Sequence, residues 1–183
     1  MSRPGSGGNG GVRLSLIDPP QSRGVLFIHS SGRAYCSHVE WALTGILGER
    51  VSLEWTPQPV LRGAVRAELS WAGPCGTAAS VASALRAFPD LRFEVTEEPT
   101  GRSEGERIAV TPTLGVFRAM IGLHGDLLLT EDRIRQAVVR AAAIGEPVED
   151  ELALLLGEPW DEELEPFRVA GDGAPVRWLH RVG

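Results

Sequence analysis

Gly24-Val25-Leu26-Phe27-Ile28-His29-Ser30-Ser31-Gly32 is the stretch from which the fold is read. A short apolar run that ends in Ser-Ser-Gly predicts a buried first strand followed by a turn. From Cys36 to Gly48 the period changes. Val39, Ala42, Leu43, Ile46 and Leu47 recur at helical spacing, and Gly48 supplies a C-terminal stop. Val51, Leu53 and Trp55 then alternate with Ser52, Glu54 and Thr56, which predicts a half-buried second strand ending at Pro57 and Pro59.

The pattern repeats once. Val65, Ala67, Leu69 and Trp71 alternate with polar residues as a third strand. Gly73 to Thr77 turns the chain into a second helix with the stripe Ala78, Val81, Ala82, Leu85 and Phe88. Leu91, Phe93 and Val95 alternate as a fourth strand. Strand, helix, strand, strand, helix, strand predicts an α+β fold with a ferredoxin-like β-α-β-β-α-β core over residues 24–98. Its helices would cover the face bearing Trp55, Trp71 and Phe93. The other face is expected to be solvated, or covered by the C-terminal part of the chain.

Residues 106–183 read as an extension of the same domain. Phe117, Ala119, Ile121 and Leu123 alternate as a strand, with His124-Gly125 at a hairpin turn. Thr130 looks like an N-cap for a helix that places Ile134, Ala137, Val138 and Ala141 on one side. A helix over Val148 to Leu156 ends at Gly157, and Trp160, Leu164 and Phe167 tuck a short acidic helix onto the body. Val176 and Trp178 suggest a last strand. Residues 1–23, rich in Gly and Ser near their start, read as a disordered tail without the apolar segment of a secretory signal.

Composition narrows the function. All 18 basic residues are arginine, so lysine-dependent chemistries such as a P-loop, a pyridoxal Schiff base or a Ser-Lys dyad are excluded. The net charge is −6, and nine of the 24 acids fall between Glu146 and Glu165 without an arginine. That stretch argues against nucleic acid as the partner and suggests either a solvated helix face or a docking surface for a basic partner. No apolar run is long enough to span a membrane. Two cysteines are too few for a secreted disulfide scaffold, so a cytoplasmic location is expected by elimination.

With the first and third strands central, adjacent and parallel, as this reading takes them, both helices start at one edge of the sheet. His29, Ser30, Ser31, Cys36 and His38 would then converge with Gly73, Cys75, Gly76 and Thr77. Helix N-termini favour an anion and a thiolate, so these are the candidate ligand-binding residues. A small-anion pocket, a zinc site from His29, Cys36, His38 and Cys75, and a reactive Cys36 activated by His38 or His29 are weighed against ordinary buried cysteines and capping residues. Cys-x-His is not a zinc pair spacing, so no metal is assigned, and no cofactor is implied. The five tryptophans read as core residues rather than a ligand platform.

The phrases Cys36-Ser37-His38-Val39-Glu40-Trp41-Ala42-Leu43, Trp55-Thr56-Pro57-Gln58-Pro59, Leu91 to Glu97 and Trp160 to Pro166 resemble an actinobacterial family known as domain of unknown function 3145. The resemblance runs from about Gly24 onward. It implies a place near fatty-acid metabolism and carries no catalytic residue with it. The expectation is a non-catalytic accessory or regulatory protein that binds a partner protein or a small anionic ligand. A small enzyme using Cys36 or His38 on an acyl or thioester substrate is the alternative. A homo-oligomer joined through the open sheet face is a third reading.

Overall fold

A computed structural model describes residues 20–170. The Gly/Ser-rich start, the strand expected at Val176 and Trp178, and His180 lie outside the described residues. The fold is α+β, with strands β1 (Gln21–Gly32), β2 (Thr56–Pro57), β3 (Ala64–Pro74), β4 (Arg92–Glu97), β5 (Gly105–Thr111), β6 (Gly115–Ile121) and β7 (Leu127–Leu128). Helices α1 (Cys36–Leu47) and α2 (Thr77–Leu85) alternate with the first four strands, and α3 (Glu131–Ile144), α4 (Val148–Leu156) and α5 (Glu158–Val169) follow the last. One sheet holds all seven strands in the order β2-β3-β1-β4-β5-β6-β7, and every neighbouring pair is antiparallel.

Strand alternation sends the side chains of this sheet to two different layers. Leu26, Ile28, Ala67, Trp71, Phe93, Val95, Ile108 and Val110 point to α1 and α2, where Val39, Leu43, Ala78, Val81 and Leu85 close the main core. On the opposite face Ala109, Phe117 and Ala119 meet Leu164 of α5 in a smaller cluster. The C-terminal helices therefore cover part of the second face. No described helix is long and apolar enough to cross a membrane.

Gly24 sets how closely the sheet can be roofed. It faces Trp71 across the β1–β3 ladder. A Cβ there would collide with the Trp71 indole and with the carbonyl oxygen of Thr96. Only glycine leaves room for the indole to lie across β1.

Two expectations need correcting. The strand predicted at Val51, Leu53 and Trp55 shrinks to Thr56–Pro57, paired with Arg66 and Val65. The apolar alternation is real, since Val51 and Leu53 are buried. However, their N–H groups donate to side chains of α1: Val51 to Thr44 Oγ1 at 3.0 Å, and Leu53 to Glu40 Oε1 at 2.9 Å. Side-chain acceptors on the helix have replaced a strand ladder. Second, β1 and β3 are antiparallel, with Gln21 opposite Pro74 and Gly32 opposite Ala64. The tight reversal between β2 and β3 makes these two antiparallel. The α1 crossover brings β2 back parallel to β1, so β3 must oppose β1.

Candidate functional site: an ion cluster under α5 and the groove beside it

β1 carries one extra residue between Ile28 and Ser31 relative to both of its neighbours, β3 and β4. This bulge breaks the alternation, so that His29, Ser30 and Ser31 are all buried. His29 Nε2 lies 2.7 Å from Glu94 Oε2 on β4. Glu94 is 7% exposed and Arg107, on β5, is 6% exposed. From above, α5 lowers Asp161 and Arg168 onto the same two residues.

The bonds form a closed alternating ring. Arg107 donates to Glu94 Oε1 at 2.8 Å and to Asp161. Arg168 donates from Nε to Glu94 Oε2 at 2.9 Å, and from one terminal nitrogen to Glu94 Oε1 at 2.7 Å and Asp161 Oδ1 at 2.8 Å. Burial pushes the Glu94 carboxyl up. The hydrogen bonds from His29 and Arg168 and the charges of His29 and Arg107 outweigh it and hold the group well below the usual carboxylate range. Burial likewise works against the charge on Arg168, but bonds and charge from Glu94 and then Asp161 reverse that and raise it. Both groups stay ionised at neutral pH. Neither is poised to pass a proton, so the ring acts as a clamp.

Further contacts extend the clamp along α5. Glu163 accepts from Arg92 at 3.3 Å and from Thr111 Oγ1 at 2.8 Å. The Arg92 guanidinium sits 4.9 Å above the Phe167 ring. The buried amide of Gln58 donates to the carbonyl of His29 at 2.6 Å and to that of Phe167 at 3.3 Å, tying the β1 bulge to the end of α5.

Beside the clamp an open groove of about 340 Å³ runs between the end of α5 and the β2–β3 edge. Phe27 and His29 line it, with their rings stacked 6.1 Å apart. Phe167 and Arg168 form one wall, and Thr56, Arg66, Glu54 and Glu68 the other. Glu54 and Glu68 are exposed, and neither has a partner among the described residues. Arg66 Nε reaches Thr56 Oγ1 at 3.4 Å.

The candidate ligand residues do not converge. His29, Ser30 and Ser31 lie at the far end of β1, followed by Cys36 and His38 on α1. Gly73, Cys75, Gly76 and Thr77 lie at the opposite end, roughly 30 Å away along a twelve-residue strand. The amides expected to hold an anion there are already occupied. Gly76 N–H donates to Glu97 Oε1 at 2.8 Å and Ala78 N–H to Glu97 Oε2 at 2.9 Å, so a carboxylate of the chain itself sits at the N-terminus of α2. Thr77 Oγ1 donates to the carbonyl of Pro74 at 2.6 Å, and Cys75 Sγ lies 3.4 Å from Ser103 Oγ. At the other end, burial first and Glu40 second push the Cys36 thiol up, which disfavours the thiolate. His38 is exposed on the outer side of α1.

The sequence reading missed Glu94, Arg107, Asp161 and Arg168. The signal available was weak: lone charges at the outward positions of β4 and β5, and an arginine closing an acidic helix. No curated protein and no solved structure matches the chain. A family model described as "Protein of unknown function (DUF3145)" matches residues 25–181, most of the chain, which therefore belongs to that family.

Proposed function

We propose that this is a cytoplasmic accessory protein that captures a basic side chain of a partner protein in the groove beside α5, and that it does no chemistry of its own. The observation that carries the proposal is the pair of carboxylates, Glu54 and Glu68, that stand beside the Phe27 ring without a partner among the described residues. Two carboxylates and an aromatic face suit a guanidinium or ammonium group. The acidic residues of α4 and α5 would attract such a partner at longer range. His29 and Arg168 are held by Glu94, so they shape the groove without competing for the guest.

We read β1–β4 with α1 and α2 as a ferredoxin-like sandwich, extended by a hairpin and three helices, on the strength of the order β2-β3-β1-β4. Regulatory modules of that topology make a binding role the natural reading, by analogy of fold alone. Partners in fatty-acid metabolism are the first to screen.

The test is an NMR titration with N-acetyl-arginine amide. Amide shifts confined to Phe27, Thr56, Arg66, Glu68 and Arg168, and abolished in the double variant Glu54→Gln, Glu68→Gln, are expected. Shifts spread evenly over the acidic helices, or unchanged in the double variant, would reject the groove.

A further inference from the structure

Two features of α1 have no explanation among the described residues. Trp41 is 79% exposed, although an indole gains more than any other side chain from burial. Gly45 sits in the interior of the helix, where glycine is unfavourable, yet a Cβ there would meet nothing within 4 Å. Both are exposed and four residues apart, so they lie on the same side of α1, with His38 beside them.

We propose that this side of α1 is a self-association surface, on which a second copy packs its own α1 antiparallel and each Trp41 indole lies over the other copy's Gly45. A two-fold interface brings residue i onto j and j onto i. A bulky side chain and a missing one, one helical turn apart, are therefore complementary to themselves once the helix is reversed. The glycine lets the indole approach the partner backbone closely.

The charges agree with that orientation. Exposed Arg33 lies just before the helix and exposed Glu49 just past its end. Reversal brings Glu49 of each copy opposite Ser37, about one turn from Arg33 of the other. The helix dipoles then oppose each other favourably. Arg50 is exposed and unused by the pairing, and Glu40 is held by Leu53 and Trp55 of its own chain.

The surface is one helix wide and buries less than the roughly 1,200–2,000 Å² of a tight complex, so the dimer is weak and concentration-dependent. It lies on the opposite side of the sheet from the groove, and its failure would leave the groove reading untouched.

Sedimentation equilibrium over a concentration series tests it with two variants of the full chain. Wild type is expected to move from monomer toward dimer, and Trp41→Ala to weaken association by ~10-fold or more. Gly45→Leu fills the cleft while improving helix propensity. It should abolish the dimer while the monomer melts at the same or a higher temperature, which separates lost docking from lost folding. A wild-type chain that stays monomeric throughout, or a dimer that both variants leave intact, overturns the proposal.

Discussion

The two faces of the sheet are held in opposite ways. Phe93 and Glu94 are neighbours on β4, and the pleat sends Phe93 down among α1 and α2 and Glu94 up beneath α5. Below, apolar side chains fill a continuous core, each stabilising the fold by roughly 1.5–3 kcal/mol without regard to direction. Above, helix docking depends on a ring of charges that must meet at hydrogen-bond distance. Burying those charges costs much of what their attraction returns. The lower face therefore tolerates imprecision, whereas the upper face is cooperative: removing one member strands the others.

The largest test of this contrast is Phe93→Ala. It should cost about 3–5 kcal/mol in urea unfolding, by the same amount at pH 4 as at pH 7, because no titrating group is involved. A loss that varied with pH would mean that the two faces are not independent.

Glu94→Gln should cost roughly 3 kcal/mol at pH 7, because Arg107 and Arg168 lose a buried counter-charge. Here pH matters. The folded carboxyl titrates below its ordinary value of about 4.5, so its contribution is complete above that pH and is lost as pH falls through the folded value. The difference between wild type and variant should begin to shrink below about pH 4.5 and close only as pH falls through the folded value. Parallel curves down to low pH would show that the ring is not what holds α5.

Asp161→Asn should cost less, about 1 kcal/mol, because its carboxylate is 28% exposed and water can take over part of its role. A cost equal to that of Glu94→Gln would mean that water does not take over any of the role of Asp161. The smallest effect is expected on the lower face. The indole N–H of Trp71 is buried without a partner among the described residues, a burden of about 1–3 kcal/mol. Trp71→Phe removes that donor along with some apolar area and should stay within about 1 kcal/mol of wild type in thermal unfolding. A much larger loss would show that the N–H is satisfied in solution.

The lower face was largely legible in the sequence. Val39 and Leu43 on α1, Ala78, Val81 and Leu85 on α2, and Phe93 and Val95 on β4 were all read from period alone, and all are buried. α4 ends at Leu156 with Gly157 left-handed behind it, as its glycine signal implied. Leu164 and Phe167 do seat α5. What failed was the local rule where side chains competed with the backbone, as at Val51 and Leu53, and the relative direction of β1 and β3. The direction error placed two groups of candidate residues at one end of the sheet when they lie at opposite ends. Trp41, read as core, is on the surface.

What the amino-acid sequence determined by itself was the existence and type of nearly every element, and which side of each is apolar. These follow from spacing between neighbours, which chain geometry converts directly into a face. What only the tertiary structure decided was which distant polar groups meet. Glu94, Arg107, Asp161 and Arg168 come from two strands and one helix, and Glu97, at the end of the same strand as Glu94, reaches the start of α2. Ion pairs and caps of this kind require contact within a few ångströms. No periodicity in the chain encodes that contact; it arises once the apolar core has brought the elements together.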